Sequence, residues 1–296
     1  MDGIINFFKP AGMTSHDAVA YFRRLLGTRK VGHTGTLDPM ATGVLPICIG
    51  KATKVSEYLL AVDKEYIAEL TVGAASDSQD STGKVTHTSD KLVTLDEIED
   101  AFQSFKGRID QIPPMYSAKK IGGKKLYELA RNGIEVEREP REVNIKNIQI
   151  LHNKDNRNIV FYTRCSKGTY IRTICNDIGE KLDTYGHMSY LLRVGVGDFR
   201  IENSFGMDTL NNMSLEDIKK TIQPIDHAIL FMKEIHLDTS YYKPLTNGVR
   251  VDLDIKSDVT VNQLHRVYVS NLFIGIGKIA EENDRITLKM EKVLIR

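Results

Sequence analysis

Apolar alternation and helical spacing divide the chain into short elements from the start. Gly3 to Phe8 reads as a strand ended by Lys9-Pro10. Thr14 with Asp17 makes a capping box, and the helix behind it carries Ala18, Val19, Phe22, Leu25 and Leu26 on one face, with Gly27 as its stop. Val44, Leu45, Ile47 and Ile49 form an apolar run closed by Gly50, the pattern of a short buried strand. Ala52 to Ala61 reads as a helix, Lys64 to Gly73 as a strand, and Asp77 to Gly83 as a polar loop. Thr94 with Glu97 caps a helix lined by Ile98, Ala101, Phe102 and Phe105, and Pro113-Pro114 ends that unit. Val143 to Leu151 and Ile159 to Ser166 read as strands about the polar turn Asn153 to Asn158. Gly168 permits a sharp turn, and Thr169 is placed to cap a helix holding Ile171, Ile174, Ile178 and Leu182. Met188 to Val194 is a further strand, and Leu215 to Ile222 a short helix before Pro224.

Beyond about Ile235 the texture changes. Gly248 to Leu253, Val267 to Ser270, Leu272 to Ile276 and Arg285 to Met290 read as short strands between Asn, Asp and Gly turn signals. Two domains are therefore expected, 1–235 and a small β domain over 236–296, near the lower size for independent folding.

Composition narrows the class. Hydrophobic residues make up 41% of the chain, ample for a core, and charged residues 27%, ordinary for a soluble protein. No apolar run reaches about 18 residues, so no membrane helix is expected. Met1 to Pro10 lacks a basic region followed by an apolar stretch, so no signal peptide is expected and the location is read as cytoplasmic. Cys48, Cys165 and Cys175 have no CxxC spacing and fit buried, reduced thiols rather than a zinc site. The net charge of +1 means that nucleic-acid binding needs basic residues gathered on one face. Arg23, Arg24, Arg29 and Lys30 form one such group. Tyr116 to Gly133 holds another, with Lys119, Lys120, Lys124, Lys125 and Arg131 set around Tyr116 and Tyr127 and the pair Gly122-Gly123. A solvated surface helix and a surface for phosphates and bases both satisfy that segment on its own.

The densest chemistry lies in Val31 to Gly50, VGHTGTLDPMATGVLPICIG. Gly32, Gly35 and Gly43 open backbone angles closed to other residues. Pro39 fixes its own φ and drives Asp38 out of the helical region, so Asp38 is held in an extended or turn conformation just before a core strand. A lone carboxylate on a constrained loop suits a rigid site. As a dipeptide Asp-Pro is often a plain turn, but His33, Thr34, Thr36, Asp38 and Thr42 crowd among these glycines beyond what a turn requires.

GHTGTLDPMATGVLPICIG resembles the signature of the TruB family of tRNA pseudouridine synthases, without gaps. KPAGMTSHDAV resembles the family's first motif, and PPMYSAKKIGGKKLYELAR another of its blocks, which favours RNA contact for Lys119, Lys120, Lys124 and Lys125. The resemblance spans roughly Lys9 to Arg193. It implies an α+β fold, with a mixed, mainly antiparallel central sheet flanked by helices, the active-site cleft across it, and a small C-terminal β domain resembling the PUA RNA-binding type. It implies isomerisation of the T-loop uridine of tRNA (position 55 in tRNA numbering), with the tRNA T arm as partner and no membrane or obligate protein partner. By the same resemblance Asp38 is the catalytic residue, Arg172 in TYIRT pairs with it, and Tyr66 in KEYIAEL stacks on the target base. Tyr170 and Leu191 enclose that base, and His33 moves into the space it vacates. Read without the family, Arg172 is a surface arginine of an amphipathic helix, and Tyr66, Tyr170 and Leu191 are core residues.

Making pseudouridine breaks the N1–C1′ bond and joins C5 to C1′, with no net oxidation. No cofactor or metal is required, and the sequence has no Walker loop, clustered His or CxxC. What is needed is a carboxylate that attacks or takes a proton at the sugar, and a cation to keep that enclosed carboxylate ionised. The rivals are a non-catalytic RNA-binding or RNA-folding protein on the same fold, a zinc deaminase and a glycosidase. A deaminase lacks its H-x-E and PCxxC elements here. A glycosidase wants paired carboxylates, for which Asp77 and Asp80 are the nearest supply, although the resemblance puts them in a substrate loop.

Overall fold

The computed structural model describes residues 1–117, 119–253, 260–282 and 285–295. Among these, the larger sheet has nine strands. Its path runs Gly3–Lys9, Thr42–Ile49, Gly186–Val196, Lys64–Val72, Asn158–Cys165, Arg141–Lys154 and Gly107–Gln111. Val31–His33 adds to Thr42–Ile49, and Phe199–Arg200 to Gly186–Val196. Pairing is antiparallel throughout this sheet except at one junction. There Leu192 and Arg193 run parallel to Thr42 and Gly43 for two residues only. A Cβ at Gly43, where φ is +108°, would sit 2.2 Å from the Arg193 carbonyl oxygen. Only glycine lets the strands meet there.

Side-chain alternation decides what each face carries. In Lys64–Val72 the buried positions are Lys64, Tyr66, Ala68, Leu70 and Val72. Ala68, Leu70 and Val72 pack with Ile98 and Phe102 of the Leu95–Ser104 helix and Ile174 and Ile178 of the Ile171–Lys181 helix. Strands Gly3–Lys9 and Thr42–Ile49 are covered on both faces. Ile5, Phe7, Leu45 and Ile47 face Ala18, Val19 and Phe22 of the Ser15–Leu25 helix, while Ile4, Val44 and Cys48 face the opposite side. Both expected capping boxes form, Thr14 with Asp17 and Thr94 with Glu97.

From Glu234 on, the described residues build a second, five-stranded sheet in the order Glu234–Leu237, Leu264–Val269, Leu272–Glu282, Arg285–Val293, Val251–Asp252. It has its own apolar cluster around Val267, Ile274, Ile279 and Leu288. Ile276 and Leu294, however, pack with Ile4, Val44, Cys48 and Leu59 of the larger sheet. The Tyr268 hydroxyl donates to Asp226 at 2.7 Å across the same seam. No described helix is long and apolar enough to cross a membrane.

Three local expectations need correction. Ala52 to Ala61 is not a single α-helix: Gly50–Val55 is a 3-10 segment, tightened by the Thr53 hydroxyl donating to Gly50 O at 2.8 Å, and the α-helix is Ser56–Ala61. Thr169 does not cap its helix, because its hydroxyl donates back to Ser166 O at 2.9 Å. Tyr170 is the cap residue, and buried Gln111 holds its backbone on both sides, taking its N–H at 2.8 Å and donating to its carbonyl at 3.0 Å. Gly32 needs no special backbone: it lies inside the Val31–His33 strand, whereas Gly35 and Gly43 take φ of 139° and 108°.

Candidate active site

Asp38 sits in an irregular loop between strands Val31–His33 and Thr42–Ile49. Ala41 N–H donates to its carbonyl at 3.1 Å, so Asp38 and Pro39 open a tight turn. The loop is tied from outside. Buried Ser15 takes the N–H of Leu37 at 2.8 Å and donates to its carbonyl at 3.1 Å. Pro39 O accepts from Gly12 N–H at 2.8 Å and from Lys9 Nζ at 3.4 Å, and Lys9 Nζ also donates to Pro10 O and Met13 O. Lys9 is fully buried, and burial with the nearby Arg193 charge lowers its pKa to about 8.

Arg172 reaches Asp38 from a segment 134 residues away. It is the second residue of the Ile171–Lys181 helix and is buried. One nitrogen, Nη2, bridges both Asp38 oxygens, at 3.0 Å to Oδ2 and 3.2 Å to Oδ1. The other, Nη1, lies 3.6 Å from Asp80 Oδ2. The guanidinium therefore links two carboxylates rather than closing its whole fork on Asp38. Asp80 is itself buried and bracketed: its Oδ1 accepts from Ser78 Oγ at 2.8 Å and Thr82 N–H at 2.9 Å. The Gln79 side chain, one residue before it, accepts from Thr173 on the Arg172 helix at 2.8 Å.

The Asp38 side chain keeps 31% of its surface open while its carboxyl is otherwise walled by protein. Burial pushes its pKa up, and Arg172 is the first of the charges pulling it back down. Asp80 adds to the rise; Lys9 and Arg193 oppose it. The net direction is upward, so Arg172 limits a burial penalty that it does not overcome.

Tyr66, Leu191, Leu37 and Ala41 share one apolar cluster with Ile171, beside Asp38 and Arg172. Burial pushes the Tyr66 phenol up to about 12, so at neutral pH it presents a ring and a hydroxyl, not a phenolate. Tyr170, half-buried, stands two residues before Arg172. His33 accepts the Gly35 N–H at Nδ1, at 3.2 Å, which places the proton of the neutral ring on Nε2. Burial and then the Arg193 charge lower its pKa, keeping it neutral.

The lysines form a separate feature. Lys120–Ile121 and Lys124–Lys125 pair about Gly122-Gly123, both at positive φ, and lead into the Leu126–Arg131 helix. The segment is a tight hairpin followed by a helix, and the basic groups crowd one aromatic ring: Lys125 Nζ lies 5.2 Å and the Arg131 guanidinium 5.5 Å from the Tyr127 centroid. Lys120 and Lys124 are exposed; Lys119 and Lys125 are half-buried. The three cysteines are free and buried.

Sequence reasoning missed three residues of the site and, for Asp80, named only as a spare carboxylate in a substrate loop, the link to Arg172. Lys9 reads as a strand terminator, Ser15 as a helix residue, Asp80 as loop, and Arg193 as one position in a strand. The available signals were a charge inside the apolar run YLLRVGV and an aspartate set among hydroxyls in SDSQDST.

Comparison with known proteins adds to this geometry. Residues 23–171 match the TruB family pseudouridylate synthase N-terminal domain, and residues 172–230 the tRNA pseudouridylate synthase B C-terminal domain. The chain is 44% identical to the tRNA pseudouridine synthase B of Clostridium kluyveri over 297 residues, covering all of both chains. It is 45% identical to that of Clostridium tetani over 289 residues, covering 97% of this chain and 98% of the relative. Among solved structures, a Cbf5-Nop10-Gar1 complex matches with a TM-score of 0.77 at 27% identity, over 99% of this chain and 85% of that one. A chain of an H/ACA RNP bound to a substrate RNA containing 2'-deoxyuridine matches with a TM-score of 0.76 at 25% identity, over 99% and 85%.

Proposed function

This chain belongs to the TruB family of pseudouridylate synthases, and from that membership and the site geometry we propose that it converts the T-loop uridine of tRNA to pseudouridine, with Asp38 as the catalytic group. The observation that carries the reading is the Arg172 nitrogen bridging both Asp38 oxygens beside Tyr66 and Leu191. A carboxylate held this way is oriented, partly open and paired with a permanent cation. It is equipped to act at the sugar as the N1–C1′ bond breaks. The base then turns, C5 bonds to C1′ and gives up its proton, and N1 takes one. Nothing is oxidised.

The uridine must leave its stack to reach Asp38. Tyr66 offers a ring to stack on, Leu191 and Tyr170 close the pocket, and His33 enters the gap left in the RNA. Lys119, Lys120, Lys124 and Lys125 hold phosphates, supplying affinity without chemistry. The 236–296 segment is a second RNA-contact domain. The location is cytoplasmic, with the tRNA T arm as the partner, and no second protein is needed. Incubating the purified chain alone with an unmodified tRNA transcript, then mapping pseudouridine, tests the activity, its target uridine and the sufficiency of this one chain. Product at the T-loop uridine is expected from the wild type and none from Asp38→Asn, which should bind tRNA nearly as well. Tight binding without turnover by the wild type would leave the non-catalytic RNA-binding reading in its place.

A further inference from the structure

Among the described residues Arg193 is the largest fully buried side chain, 1% exposed in strand Gly186–Val196. No ion pair of the described residues includes it; both carboxylates of the site pair with Arg172 instead. Its nitrogens go to carbonyls. Nε donates to Val44 O at 2.7 Å, Nη1 to Thr36 O at 3.3 Å and Nη2 to Gly35 O at 3.2 Å. Tyr66 stands directly opposite Arg193 in the antiparallel pairing with strand Lys64–Val72, and the Arg193 charge acts on its phenol.

The three carbonyls and the neighbouring Tyr66 all belong to the site. Gly35 and Thr36 lead into Asp38, Val44 lies in the strand that follows it, and Tyr66 is the base-facing ring. Ser15 and Lys9 tie Leu37 and Pro39, one on each side of Asp38. Among the described hydrogen bonds, the Gly35 and Thr36 carbonyls have Arg193 as their donor. A buried guanidinium without a carboxylate carries a heavy desolvation cost, and an apolar side chain of similar volume would stabilise a core strand more. Lysine would be a poor replacement, because only a planar fork directs several donors in fixed directions at once.

We propose that Arg193 is a positioning residue for the isomerisation, holding the Asp38 loop and the Tyr66 ring in one relation across the base pocket. The proposal rests on the reading of Asp38 as the catalytic group. Two bonds at the same sugar carbon must be broken and made while the base turns between them. Asp38 is positioned for the sugar and Tyr66 for the base, so a shift between the two separates the reacting atoms. A misplacement of about 1 Å can cost on the order of 100-fold in rate.

Two variants separate geometry from charge. Arg193→Lys keeps a cation and loses the fork; Arg193→Gln keeps a planar donor and loses the charge. Single-turnover rate and tRNA affinity are measured from acidic to neutral pH, on protein shown to be folded by thermal melting, with Asp38→Asn alongside. Both variants are expected to lose on the order of 100-fold in single-turnover rate, with tRNA affinity near wild type. Asp38 faces Arg172, Asp80, Lys9 and Arg193. The acidic limb should therefore move to higher pH in Arg193→Gln and stay in place in Arg193→Lys. A folded lysine variant with wild-type rate would overturn the proposal. So would a rate loss matched by weakened affinity, or failure of both variants to fold, since each leaves Arg193 a binding or structural role only. Wild-type turnover by Asp38→Asn would remove the premise itself, and is told apart because Arg193 is then intact.

Discussion

The role proposed for Asp38 requires a carboxylate, and its surroundings pull its proton equilibrium both ways. Burial and Asp80 favour the protonated acid; Arg172, Lys9 and Arg193 favour the anion. The acidic limb of the rate profile should thus lie above the ordinary range of an aspartate, and two substitutions should move it in opposite directions. Arg172→Lys replaces a weakly hydrated planar cation with a flexible, strongly hydrated one that can lose its proton when buried. Its limb should shift to higher pH, and its single-turnover rate should fall by more than about tenfold, roughly 1.4 kcal/mol of transition-state stabilisation. Asp80→Asn removes a negative charge that raises the Asp38 pKa, so its limb should shift to lower pH. Its rate should fall as well, because Arg172 loses one of the two carboxylates that aim it. Rapid-quench single turnovers across the acidic range check both. Limbs moving together would refute the two-carboxylate arrangement.

At the scale of the element, the Lys120–Lys125 hairpin concentrates charge on a chain that is nearly neutral overall. Affinity for tRNA should fall steeply with salt. Replacing Lys119, Lys120, Lys124 and Lys125 with alanine should flatten the slope of log affinity against log salt by about one for each phosphate that is no longer neutralised. The chemical rate on saturating tRNA should stay near wild type, since no interaction joins these lysines to Asp38 among the described residues. A titration series at several salt concentrations decides it; an unaltered slope would mean that the hairpin faces away from RNA. The parallel junction is a second element-scale device. Gly43→Ala would drive a methyl into the Arg193 carbonyl at a positive φ. It should cost stability of order 1–3 kcal/mol for the backbone alone, seen as a lower urea midpoint.

For the whole molecule, the seam between the two sheets governs what truncation does. Ile276 and Leu294 cover Ile4, Val44 and Cys48 of the strands beside the active-site loop. Ending the chain after Leu237 uncovers that core, so the truncated protein should melt earlier and aggregate instead of showing only a raised KM. Leu294→Ala, at a site 5% exposed, should by itself cost about 2–5 kcal/mol. Urea unfolding of this variant measures the seam without removing the second sheet. A midpoint equal to wild type would show that the two units are energetically independent.

Local patterns alone were enough for much of this protein. The two capping boxes, most strands of the larger sheet, the constrained Asp38 loop and the buried cysteines follow from neighbours a few residues apart, whose spacing carries their physics directly; the short strands Val31–His33, Gly107–Gln111 and Glu234–Leu237 did not show in the pattern. The family motifs also marked Arg172, Tyr66 and Leu191. Tertiary structure decided the charges. The burial of Asp80 and Arg193 depends on a guanidinium and carbonyls supplied by distant segments, and that of Lys9 on Pro39 as well as on its neighbours Pro10 and Met13. Asp38 and Arg172 are 134 residues apart, and nothing local to either reports the distance between them. The Thr169 cap failed because its hydroxyl turned back to Ser166 while distant Gln111 held the Tyr170 backbone; the single Ala52 to Ala61 helix failed locally, at the Thr53–Gly50 bond. A sequence states which groups need partners; only the folded chain brings donors and acceptors within about 3 Å, where burial makes each pairing compulsory.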